Sequence, residues 1–143
     1  MNIGEKKYFF SEVDQAIKRV WGKLKTLRAL FIYDKEGQIT IFQHVDEAFA
    51  YNESELGQVN LLPTFLSQIF ESLQEQISKV KLGENDSVSV VYDKYTLKQF
   101  KIGDNLRSTI LAEGEGEAAM IDSFIQELRA NFGHIDAAVS EES

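Results

Sequence analysis

The sequence predicts an α+β domain, a five-stranded antiparallel sheet with elements in the order α-β-β-α-β-β-β-α. Three observations carry this. Apolar residues recur at helical spacing in three separated stretches, near the start, in the middle and near the end of the chain. Between them lie five β-rich runs, the last three joined by connections as short as antiparallel neighbours require. One run, Leu27 to Tyr33, is apolar on both faces, as in a strand covered on both sides.

The first helix is expected from Ser11 to about Lys25, because Val13, Ile17, Val20, Trp21 and Leu24 form one stripe. Ser11 stands where a side-chain cap belongs and Asp14 falls in the first turn. Leu27 to Tyr33 and Gln38 to His44 then flank Asp34-Lys35-Glu36-Gly37, where Gly37 can supply the positive φ of a short hairpin. Asp46 to Val59 is polar and reads as a loop. From Leu61 to Val80 the apolar residues Leu62, Phe65, Leu66, Ile69, Phe70, Leu73, Ile77 and Val80 cover more than a narrow stripe, with Pro63 tolerable in the first turn. So much apolar surface suits two contacts, one with the chain's own sheet and one with a second subunit.

Strands are expected at Ser87 to Tyr92, Leu97 to Ile102 and Leu106 to Ala112, forming a meander. A last helix carries Ala118, Ile121, Phe124, Ile125, Leu128 and Phe132 and is expected to end at Gly133. The domain is thus read as residues 1–143, with its core over about 10–133 and an acidic, disordered tail at 136–143. The middle helix covers one sheet face, and the first and last helices share the other.

Composition narrows function chiefly by exclusion. At 143 residues, with 43% apolar and 27% charged residues, the chain falls in the globular range. Its apolar runs are far shorter than the roughly 20 residues that span a bilayer, and Met1 to Phe10 lacks the apolar core of a secretory signal. A cytoplasmic location is the resulting expectation. With no cysteine there is no thiol chemistry and no cysteine metal site. The net charge of −8 opposes binding to a nucleic-acid backbone. Charge is also uneven: through Arg28, seven Lys and Arg stand against three Asp and Glu, a local +4 that leaves −12 for the remainder. Lys18, Arg19 and Lys23 on the first helix are therefore candidate contacts for an acidic partner or a phospholipid surface, although a solvated helix face explains them more simply.

Candidates for chemistry are few. His44 and His134 have no second ligand at metal spacing, so no metal is expected. Glu113, Glu115 and Glu117 read as a solvated connection, and their charge makes Gly114 and Gly116 a poor phosphate cradle. Asp34 with Glu36, and Asp93 beside Tyr95, suit turns. No serine sits in a nucleophile elbow. Trp21 is expected in the core, with a partner-binding anchor as the second reading. No catalytic residue, cofactor or metal is assigned.

The hairpin Leu30-Phe31-Ile32-Tyr33-Asp34-Lys35-Glu36-Gly37, the helix from Leu61 to Val80, and Val88-Ser89-Val90-Val91-Tyr92 with its meander resemble the roadblock family, the dynein light-chain type of domain related to longin domains. The resembling stretch runs from about Phe10 to Phe132, and the long polar insert from Asp46 to Gln58 departs from the pattern. A helix before the first strand favours roadblock over longin. The resemblance implies a profilin-like arrangement of helices on both sheet faces. It also implies a homodimer or a heterodimer with a related roadblock chain, and service as a non-catalytic scaffold to a small Ras-like GTPase. Family dimers join through the middle helices and third strands, which here places Phe65, Ile69, Phe70, Leu73 and the strand Ser87 to Tyr92, with Val88, Val90 and Tyr92 foremost, near the seam. The competing readings are a longin-type trafficking or coat-complex subunit and an enzyme or ligand sensor of profilin- or PAS-like fold. No convergent polar pocket supports the last.

Overall fold

Strand order in the sheet is β2-β1-β5-β4-β3, every neighbouring pair antiparallel. The strands are β1 (Leu27–Asp34), β2 (Thr40–Val45), β3 (Ser87–Val91), β4 (Tyr95–Lys101) and β5 (Leu106–Glu113). Helix α1 (Ile3–Val20) precedes them and helix α2 (Ala118–Ser140) follows. The computed structural model describes residues 3–35, 40–46, 57, 61, 64, 66, 68, 69, 71–73, 75, 87–114 and 118–140, with backbone alone at 3–10, 118 and 140. Thr64, Leu66, Gln68, Ile69, Glu71, Ser72, Leu73 and Glu75 are helical and belong to the expected middle helix. Gly37 and most of the expected 46–59 loop lie outside the described residues. Gly57, assigned to that loop, is helical.

β1 behaves as its sequence predicts. Ala29 to Tyr33 are all buried, because β1 pairs with β2 on one side and β5 on the other while both its faces are covered. Leu30 and Ile32 point to the face shared by α1 and α2, with Phe100, Leu106 and Ile110 beside them. There Val13, Ala16, Ile17 and Val20 of α1 meet Ile121, Phe124, Ile125, Leu128, Phe132 and Ile135 of α2. Ala29, Phe31 and Tyr33 point the other way, into a smaller cluster with Leu66 of the middle helix, Val88, Leu97 and Leu111. This second face also buries polar groups. Tyr33 Oη lies 2.6 Å from Thr109 Oγ1 and accepts from Gln99 Nε2, linking β1, β5 and β4.

Two helix ends depart from expectation. Ser11 is not a cap, since α1 begins eight residues earlier and ends at Val20, where Gly22 at φ 86° turns the chain. Gly133 does not stop α2. Ile135 and Val139 extend the apolar stripe of Leu128 and Phe132, so the helix runs to Ser140 with Gly133 on its solvent side. The expected disordered tail is therefore corrected: residues 136–140 are helical, Asp136 is only 7% exposed, and 141–143 lie outside the described residues. Asp136 Oδ1 accepts the backbone N–H of Asn105 at 3.0 Å and of Leu106 at 2.7 Å, latching α2 to the β4–β5 turn. Asn105 Nδ2 returns a bond to Asp136 O at 3.1 Å.

α1 runs antiparallel to α2, as the contacts between Lys23 Nζ and Glu127 Oε2 (3.0 Å) and between Glu12 Oε2 and His134 Nε2 (3.7 Å) show. The second is an ion pair only when the imidazole is protonated. Arg28 closes one end of the sheet: its Nε donates to Glu113 Oε2 at 2.8 Å, Asp46 Oδ2 stands 3.9 Å from its Nη1, and that Nη1 donates to Lys25 O at 3.2 Å.

Candidate protein-interaction surface

The sheet has two edges, β2 and β3. β3 is short and apolar, and among the described residues it pairs only with β4. Its register sets Val88 opposite Gln99 and Val90 opposite Leu97, which turns both valines toward the middle-helix face. Val91 faces the other way, where α1 and α2 do not reach it, and is 75% exposed. Tyr92, just beyond the strand, is 54% exposed, although its N–H is engaged by Tyr95 O at 2.8 Å. An apolar edge of this kind is a template for a further strand unless something covers it.

The middle helix adds a second exposed apolar element. Leu66, Ile69 and Leu73 fall on one stripe at 3.6 residues per turn. Leu66 is buried against the sheet, whereas Ile69 and Leu73 are 44% and 42% exposed. The sheet thus covers only part of the stripe. Of the residues expected at a dimer seam, Ile69, Leu73 and Tyr92 lie at the surface, Val90 is half-buried, and Val88 is taken up by the chain's own core. Phe65 and Phe70 lie outside the described residues. Val91, within the expected Ser87 to Tyr92 edge, is more exposed than Ile69, Leu73 or Tyr92, and Leu61, outside the expected set, is exposed as well. Strand alternation alone identifies Val91, which lies on the face opposite Val88 and Val90.

The basic residues separate in the same way. Lys23 is paired with Glu127 and Arg28 with Glu113, while Lys18, Arg19 and Lys25 are exposed. Lys18 and Arg19 occupy the last turn of α1, where cations complement the helix dipole. Trp21 corrects the expectation of a core residue. It follows the last turn of α1, stands 48% exposed, and lies edge-on to His44 and Phe42 of β2. Trp21 continues the apolar stripe of α1, but at that height, among the described residues, it meets the edge strand alone.

No group of three His, Cys, Asp or Glu among the described residues could hold a metal ion. Glu113 is bound by Arg28, and Asp136 is occupied with backbone N–H groups. No described helix is long and apolar enough to cross a membrane.

Similar architectures occur among solved structures. Gliding protein MglB from Thermus thermophilus superposes with a TM-score of 0.71 at 7% identity, covering 91% of this chain and 92% of that one. MglB of Myxococcus xanthus gives 0.66 at 12% identity, covering 96% and 94%. A roadblock/LC7 domain from Streptomyces avermitilis gives 0.67 at 13% identity, covering 85% and 95%. At these identities the likeness concerns the fold, and the fold is of the roadblock type. No curated protein sequence matches the chain. A family described as mitogen-activated protein kinase kinase 1 interacting matches residues 11–139, and the chain belongs to that family.

Proposed function

We propose that the chain is a non-catalytic adaptor that dimerises through the β3 edge and the middle helix and binds a small Ras-like GTPase. The observation that carries the dimer is the exposed apolar set Val91, Tyr92, Ile69 and Leu73 on an edge strand and a helix stripe that the chain itself leaves partly uncovered. Burying such side chains is worth about 25 cal/mol per Å² of apolar area removed from water, and pairing β3 with a second β3 removes the open edge. Support also comes from an MglB structure described as having a tetrameric arrangement, and from a family description that names an interacting protein. The GTPase as partner follows from the roadblock resemblance. A scaffold of this class acts by positioning groups of its partner, so it needs no nucleophile of its own.

The test is titration of the chain against a panel of Ras-like GTPases, each in both nucleotide states, with turnover followed in parallel. The proposal expects saturable binding that differs between nucleotide states, and no hydrolysis of nucleotide by the chain alone. Binding to a coat or tethering subunit, with none to any GTPase, would replace it with the longin-type reading.

A further inference from the structure

Trp21 is the chain's one tryptophan, and its place is not accounted for by the core. Its N–H still bonds Ile17 O at 2.8 Å, so the backbone completes the helical course before Gly22 turns it away. The indole stands edge-on to His44, with ring centroids 4.8 Å apart at 89°, and to Phe42, 6.4 Å apart at 71°. Two aromatic neighbours thus hold a large apolar ring that is half in water. A ring fixed in advance loses little conformational entropy when a partner covers it, which is the character of an interface anchor.

Charge specifies the partner. Lys18 lies one helical turn before Trp21, Arg19 shares that last turn, and Lys25 is exposed in the connection to β1. No ion pair among the described residues holds Lys18 or Arg19, whereas Lys23 and Arg28 are already committed to Glu127 and Glu113. The helix dipole explains why bases end α1, but it does not explain an exposed indole beside them. We infer that Trp21, Phe42 and His44, with Lys18, Arg19 and Lys25, dock an acidic segment of a partner polypeptide that carries an apolar side chain for the indole. An anionic bilayer fits less well, since such surfaces recruit clusters of about four to eight Lys or Arg, and this chain carries a net −8. The inference is independent of the proposed dimer, because β2 and β3 are opposite edges of the sheet and both can be occupied at once.

The single tryptophan makes the patch its own reporter. The full chain is titrated at low ionic strength with a synthetic peptide of glutamates flanking one leucine, with the same peptide carrying lysines for glutamates, and with phosphatidylcholine vesicles containing phosphatidylserine. The acidic peptide should shift Trp21 emission to the blue in a saturable way, and added salt should weaken the response. Lys18→Glu with Arg19→Glu, at exposed positions, should raise the Kd by roughly tenfold or more while the chain still melts cooperatively, at a Tm lowered only by the lost dipole contacts. Trp21→Ala, followed through a labelled peptide, should also lose binding, and the charge-reversal variant decides if that substitution unfolds the chain. An equal response to the lysine peptide, or none to the acidic one, overturns the inference. A response to vesicles alone replaces it with a membrane contact.

Discussion

Replacing Asp136 with alanine tests whether the end of α2 is part of the fold. The carboxylate accepts the backbone N–H groups of Asn105 and Leu106 at 3.0 and 2.7 Å and is almost fully buried. Bonds to a charged acceptor contribute about 1.5–3 kcal/mol each, and a buried donor left without its partner costs about 1–3 kcal/mol. Asn105 is half-exposed and can recover a bond from water, whereas the Leu106 N–H is in the buried bond of the pair. The expected loss is therefore about 2–4 kcal/mol, less than two full bonds. At about 3–4 °C per kcal/mol for a domain of this size, Tm falls by roughly 6–15 °C. Gly103→Ala approaches the same latch from the other side, because a Cβ there would fall on the Asp136 carboxylate that those two bonds hold in place. It should cost about 1–3 kcal/mol in the wild-type background and much less in Asp136→Ala, where the obstructing group is gone. Thermal and urea melts of the four chains of this cycle provide the assay. An Asp136→Ala chain melting within 2 °C or so of wild type, or strictly additive costs, would refute the latch.

Three further outcomes follow from the packing. Gly133→Ala should stabilise the chain by about 0.5–1 kcal/mol, since Gly133 lies inside α2, is exposed, and a Cβ there meets nothing within 4 Å; a lower Tm would show that α2 does not continue past it. Tyr33→Phe should cost about 1–3 kcal/mol in urea unfolding, because it removes the hydroxyl that joins Thr109 and Gln99 in a buried site. Lys23→Ala should change stability by no more than about 1 kcal/mol, since its pair with Glu127 is half-exposed and screened; a larger loss in the same melt would give this surface bridge a structural weight the geometry does not.

The strands were legible in the sequence because burial on two faces leaves a direct trace. Leu27 to Tyr33 is apolar at every second and at nearly every intervening position, and only a strand paired and covered on both sides needs that. The last helix was legible along its stripe but not at its end. Gly133 reads as a helix stop, yet Ile135 and Val139 stand three and seven residues beyond Phe132 on the same stripe, the signal that the helix continues. Trp21 shows a different limit. Periodicity reports which face of a helix is apolar, not whether another element lies opposite, and beyond α1 only the edge strand β2 does among the described residues. Asp136 and Arg28 were out of reach for a third reason. Their partners lie 30 and 85 residues away, so no local pattern pairs a carboxylate with the Leu106 N–H or a guanidinium with Glu113.

The most direct test of the proposed dimer is the solution mass of the wild-type chain and of Val91→Glu, measured by sedimentation equilibrium at matched concentration. Val91 is so exposed that a carboxylate there leaves the fold intact, yet in a dimer joined through β3 each chain would bring a charge into the apolar seam. The wild type should give about twice 16.3 kDa, and Val91→Glu should give the 16.3 kDa monomer, still melting cooperatively but at a Tm lowered by the lost dimer contacts. A wild-type chain that remains at 16.3 kDa at high micromolar concentration, or a Val91→Glu chain that dimerises as tightly as wild type, would contradict the account.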